Sequence, residues 1–137
     1  MSVERSFLLI KPDGYLDGGV ERARQALREQ GLEVTEERRV SLTPEAVSLL
    51  YPHRVGGDFW KELCDYLTPR PSLLLFVQGE GALEKVREVK GKTGQSGLRQ
   101  EFAQNFIHNT FHAPDDPESC AKEMSIFRSL LSHDDKG

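Results

Sequence analysis

Six residues of this sequence, Lys11, Arg87, Thr93, Arg99, Asn109 and His112, have side chains suited to holding or attacking a phosphate. Moving a phosphoryl group asks mainly for positioning and for positive charge around its equatorial oxygens. A neutral imidazole is an adequate nucleophile near pH 7. The stretch at 107–118, IHNTFHAPDDPE, reads as a strand end, an irregular segment with two histidines, and a helix start. Asp116 suits the N-cap and Pro117 the first helical position, where a missing N–H costs nothing. His112 would then stand just beyond a strand, ready to act as nucleophile or general base. Taken singly these residues are ordinary. A lone lysine or arginine is usually solvated at the surface, and a lone histidine is more often structural than catalytic. Tyr51, Phe59 and Phe106 are more often core aromatics than base-stacking ones on residue type alone.

The elements that must carry these residues follow from periodicity. Residues 6–10 form an apolar run that reads as a buried strand, ended by the turn Lys11-Pro12-Asp13-Gly14. A helix over 19–30 carries Val20, Ala23 and Leu27 as its apolar stripe and stops at Gly31. Residues 32–42 keep period two, interrupted by Glu36 and Arg38, as a partly exposed strand would. Thr43 caps a short helix that begins at Pro44 and ends near Tyr51-Pro52. Asp58 is expected to cap the next, which packs Trp60, Leu63, Cys64 and Leu67.

Residues 72–77 are apolar on both faces, as in a central strand. Gly81 precedes a helix with Leu83 and Val86 inward, and 90–98, KGKTGQSGL, reads as a Gly-rich loop. Residues 104–107 supply the last strand, with His108 in its pattern. A closing helix from Pro117 aligns Cys120, Met124, Phe127 and Leu131. Interleaving of this kind favours an α/β (α+β) split β-α-β fold, a four-stranded sheet with helices packed on it. Residues 1–132 read as a single domain and 133–137 as a polar tail.

Composition excludes several functions. A net charge of −4 argues against bulk binding to nucleic acid or to an anionic membrane. The longest apolar run, 73–77, is strand-sized, far short of a bilayer span. The polar start MSVERS shows no signal-peptide pattern. Cys64 and Cys120 match no metal-ligand spacing and sit at apolar-phase positions, as reduced core cysteines of a cytoplasmic protein would. Gly91-Lys92-Thr93 has the ending of a P-loop. The glycine required five residues earlier is Val86, and the segment before it reads as helix, so a P-loop is excluded.

In order and spacing, the motifs resemble those of the nucleoside diphosphate kinases from about Glu4 to Phe127. They are the strand with Lys11-Pro12-Asp13-Gly14, Tyr51 with Phe59 eight residues on, and Arg87-x-x-x-Gly91-x-Thr93. Arg99 follows, ten residues before Asn109 and thirteen before His112, and then an acidic helix start from Glu118 to Glu123. The resemblance implies a ferredoxin-like split β-α-β fold with a four-stranded antiparallel sheet. It implies ping-pong transfer of the γ-phosphate from a nucleoside triphosphate to a nucleoside diphosphate through a phosphohistidine on His112. Glu123 would hold the other imidazole nitrogen. Lys11, Arg87, Thr93 and Arg99 would bind phosphates, and Asn109 the sugar 3′-hydroxyl. Phe59 would stack on the base with Phe106 closing the other side, and Tyr51 would hydrogen-bond Lys11 and His112. His108 matches no functional position and is expected to be structural.

The resemblance further implies Mg²⁺ held through the phosphates with no direct protein ligand, near Asp115, and a homo-oligomer with a dimer as its unit and a hexamer possible. Three departures stand out. Ala113-Pro114 replace the family's Gly-Ser, the loop between Thr93 and Arg99 is shorter than usual, and Asp17 and Glu21 replace an arginine and a glycine. An active enzyme is expected. The alternatives are a nucleotide-binding regulatory relative with vestigial transfer, and a nucleic-acid-binding regulator using Lys85, Arg87, Lys90, Lys92 and Arg99. The acidic whole weighs against the latter.

Overall fold

Two apolar strands pair along their whole length at the centre of the molecule. They are β1 (Glu4–Ile10) and β3 (Ser72–Gly79), antiparallel from Glu4 opposite Gly79 to Ile10 opposite Leu73. The computed structural model describes residues 3–15, 18–91, 95–102, 105 and 108–136. Among them β2 (Glu33–Val40) and the two-residue β4 (Phe111–His112) complete the sheet, in the order β2-β3-β1-β4. The alternation of strands and helices leads to this four-stranded sheet, and its ferredoxin-like antiparallel arrangement is the one the family resemblance implies.

Successive strand side chains point to opposite faces, so β1 and β3 feed two cores. Leu8, Ile10, Leu73, Leu75 and Val77 pack with Ala23 and Leu27 of α1 (Gly19–Glu29) and with Ala82, Val86 and Val89 of α4 (Ala82–Lys90). Phe7, Leu9, Leu74 and Phe76 pack on the other face, against α2 (Pro44–Leu50), α3 (Trp60–Leu67) and α6 (Pro117–Lys136). The stripe on α6 lies as its spacing predicts, with Cys120, Phe127 and Leu131 buried and Met124 half-buried. Both cysteines are free; Cys120 is buried and Cys64 only half-buried.

Local signals are honoured where side chain and backbone lie within one turn. Thr43 Oγ1 accepts from the Ala46 N–H at 3.1 Å, and Asp116 Oδ1 from the Ser119 N–H at 2.7 Å. Asp58 departs from this. Phe59 is the N-cap of α3 and no side chain caps it. The strand read over 104–107 falls mostly outside the described residues. Of residues 104–107 only Asn105 is described, and it stands in a bend, while β4 pairs with β1 through Phe111 and His112. The span read as a Gly-rich loop holds Lys90 as the last residue of α4 and the start of α5 (Gly97–Phe102). α6 continues to Lys136, into the segment read as a polar tail.

Candidate active site

The end of β1 and the short β4 set the site. Leu9 lies opposite His112 and Ile10 opposite Phe111, and the Lys11 N–H donates to the Thr110 carbonyl at 2.7 Å. That register places Lys11 beside Asn109, whose Oδ1 accepts from the lysine ammonium. Thr110 has φ +68°, a left-handed conformation costly for a β-branched residue. Three hydrogen bonds hold it there. Thr110 N–H donates to the Tyr66 hydroxyl at 3.0 Å, Thr110 Oγ1 donates to Asp13 Oδ2 at 2.9 Å, and Tyr66 donates to Asp13 Oδ1 at 2.7 Å. The turn after β1 thus ties the Asn109–His112 segment to α3.

The capped start of α6 aims its second turn at the histidine. Glu123 Oε1 lies 2.6 Å from His112 Nε2, both side chains almost buried. Pro114 and Ala113, in place of Ser and Gly, are buried without intruding on this contact. From the other side Arg99, on α5, donates its Nε–H to the Phe111 carbonyl at 3.0 Å. The Tyr51 ring stands 5.6 Å from the imidazole, and the Lys11 ammonium lies 5.7 Å from that same ring.

These groups border one open cleft of about 520 Å³, lined by Lys11, Tyr51, Arg99, Asn109, His112, Asp115 and Glu123. Burial lowers the His112 pKa from the ordinary value, the Glu123 contact opposes this, and the Lys11 and Lys90 charges lower it further. The imidazole is therefore neutral near pH 7. Burial also pulls Lys11 well below the usual lysine range, aided by Arg99 and opposed by Asp13. It pushes the Tyr51 phenol above its usual range. The cleft holds fixed cations beside a neutral, hydrogen-bonded imidazole, an arrangement able to take up an anion and receive an electrophilic phosphorus.

A family profile for nucleoside diphosphate kinase matches residues 4–130. The chain is 31% identical to the nucleoside diphosphate kinase of Roseobacter denitrificans over 134 residues, 94% of this chain and 96% of that protein. This chain belongs to the nucleoside diphosphate kinase family. It is also 34% identical over 130 residues to the nucleoside diphosphate kinase of Ignicoccus hospitalis, covering 91% of this chain and 88% of that one. Among solved structures, the nucleoside diphosphate kinase of Aquifex aeolicus superposes with a TM-score of 0.79 at 26% identity, over 91% of this chain and 94% of that chain.

Of the residues that the resemblance to nucleoside diphosphate kinases singles out, Lys11, Tyr51, Arg99, Asn109, His112, Asp115 and Glu123 meet in the cleft. Arg87 stands on an adjoining hollow, its Nη1 donating to the Asp115 carbonyl at 3.1 Å. Phe59 is exposed at the start of α3. Thr93 and Phe106 lie outside the described residues. Tyr51 differs from expectation. Its buried hydroxyl has no hydrogen-bond partner among the described residues, and it meets Lys11 and His112 with its ring. His108 has Nε2 3.0 Å from Glu62 Oε1 and its ring 4.5 Å from Tyr66.

Sequence reasoning missed two features. One is the Asp13–Tyr66–Thr110 bracing, which no spacing could reveal. The other is Lys90, which borders the cleft and is buried. A signal for Lys90 existed. Ala82, Val86 and Val89 are inward at i, i+4 and i+7, and i+8 continues that stripe.

Proposed function

We propose that this chain is a nucleoside diphosphate kinase acting in two half-reactions through His112. The Nε2–H donates a hydrogen bond to Glu123, so Nδ1 keeps the free lone pair. Nδ1 attacks the γ-phosphorus of a nucleoside triphosphate. A P–N bond forms as the bond from phosphorus to the bridging oxygen breaks, and the diphosphate leaves. A second diphosphate then attacks the phosphohistidine through a terminal oxygen and departs as triphosphate, restoring the imidazole. Glu123 stabilises the phosphorylated ring without moving a proton in the net reaction.

The observation that carries this reading is the 2.6 Å Glu123–His112 contact beside the buried Lys11. Lys11, Arg99 and Arg87 neutralise the phosphates in this scheme, Thr93 donates a hydrogen bond to them, and Asn109 meets the 3′-hydroxyl. Phe59, exposed at the start of α3, stacks on the base in this reading with Phe106 opposite it. Stacking accepts any base, which suits a general nucleotide exchanger. Tyr51 keeps water from the imidazole with its ring. Among the described residues no group of three acidic, histidine or cysteine side chains is arranged to hold a metal. Asp115 is the carboxylate of the cleft that His112 does not engage, so a Mg²⁺ carried by the phosphates fits here with Asp115 as its neighbour. When bound, the ion offsets phosphate charge.

Brief incubation with γ-labelled ATP tests the proposal. The protein should take up an acid-labile, base-stable label that ADP discharges. His112→Ala should abolish it and His108→Ala should leave it. Label that survives in His112→Ala but vanishes in His108→Ala would sink the assignment.

A further inference from the structure

Lys90, the last residue of α4, has 7% of its surface exposed. Burying an ammonium group is costly unless something compensates its charge. Its partner is Asp115, whose Oδ1 lies 3.5 Å from Nζ but whose side chain is 74% exposed. A carboxylate that wet offsets little. Lys90 also shares the cleft with four further basic side chains, Lys11, Arg54, Arg99 and Lys122. The cleft's other carboxylate, Glu123, is engaged by His112. Five basic side chains therefore share two carboxylates, and burial with Arg99 pulls the Lys90 pKa down.

The backbone holds this lysine in place. Gly91 ends α4 at φ +72°, and a side chain there would meet the Ser96 carbonyl oxygen at 2.0 Å. The close approach of Gly91 to the start of α5 keeps Lys90 beside Arg99. A lysine suits a ligand that changes position, because its compact charge carries rotatable donors. A phosphate oxygen offers it a stronger partner than a solvated carboxylate.

We propose that Lys90 is a further phosphate-binding residue of this site: when nucleotide enters, its ammonium passes from Asp115 to phosphate oxygens in the cleft it shares with His112. This rests on the reading of the cleft as a nucleotide phosphate site. Asp115 then acts as the resting partner of Lys90 in the free protein.

Calorimetry with ADP and with adenosine separates a phosphate role from a structural one. Lys90→Met keeps an unbranched stem of similar length. It should weaken ADP about tenfold, the size of one charge-assisted hydrogen bond. Adenosine affinity should stay as it was, and Lys90→Arg should keep most of the ADP affinity. Unchanged ADP affinity in Lys90→Met, or equal losses for adenosine and ADP, overturns the proposal. A second measurement uses the unaltered protein, with trace acetylation by acetic anhydride read by peptide mass spectrometry. ADP should protect Lys90 and adenosine should not; equal modification with and without ADP overturns the proposal. The phosphoenzyme test is independent. Absence of label would sink the transfer reading alone, whereas label with an ADP-indifferent Lys90 would sink this inference alone.

Discussion

In the proposed scheme His112 accepts phosphate only while its imidazole is neutral, so the pH dependence of the reaction is set at His112. Burial dominates there and lowers its pKa, while the Glu123 contact pulls the other way. The folded value therefore lies below the free imidazole value of about 6.5. The sign follows: the nucleophilic form persists below that pH and is lost only on further acidification. Single-turnover labelling from ATP should hold its neutral rate at about pH 6.5 and decline below it. In Glu123→Gln the upward pull is gone, so the acid limb should move lower still while the neutral rate drops about 10–100-fold. An acid limb above the free imidazole value would show that Glu123, not burial, governs the ring. On the alkaline side, Lys11 is lowered by burial and loses charge before an ordinary lysine does. Nucleotide binding should accordingly weaken at a pH below the usual lysine range.

At the scale of elements, the site depends on how β4 is held. Thr110 is locked in a left-handed conformation between Asn109 and β4, and Tyr66 on α3 and Asp13 after β1 hold it. The Tyr66 hydroxyl accepts one hydrogen bond and donates another. Tyr66→Phe leaves a backbone N–H and a carboxylate oxygen without that partner while changing almost no volume. We expect a loss of about 1–3 kcal/mol in urea unfolding, the cost of stranding buried polar groups. We also expect slower labelling of His112, because Asn109 and the imidazole follow Thr110. A variant as stable and as fast as the parent would show that the turn holds its conformation without α3.

The whole molecule ends in an edge. β2 is the outermost strand on its side, with charged side chains along it and a register irregularity between Val34 and Glu36. Edge strands are blunted in such ways or are covered by a partner. The family resemblance implies a dimer built on the first helix and second strand, and both elements are present as α1 and β2. The resemblance further implies that the loop between Thr93 and Arg99, shortened here, contributes to the hexamer contacts; residues 93 and 94 of it lie outside the described residues. Sedimentation at micromolar concentration in moderate salt should find a dimer with little hexamer. A dominant hexamer would make the lost loop residues dispensable, and a monomer would mean that this edge stays open.

The sequence by itself determined whatever rests on neighbours along the chain. Strands apolar on both faces had to be central, Thr43 and Asp116 had to cap because their acceptors reach an N–H three residues on, and motif order carried the family and its His112–Glu123 pair. Short signals also misled. Asp58 looked like a cap, yet α3 starts on Phe59 without one. Among the described residues the last strand is Phe111–His112, whose pairing is chosen by β1 across the sheet. Only the tertiary structure decided that Thr110 meets Asp13, 97 residues away, and Tyr66, 44 away. Likewise only the folded packing of α4 against α5 turned Lys90 from a basic loop residue into a buried cation beside Arg99. The physical reason is range. A cap or a stripe is written within a turn or two of helix, whereas burial and electrostatic neighbourhood arise when distant segments close on one another.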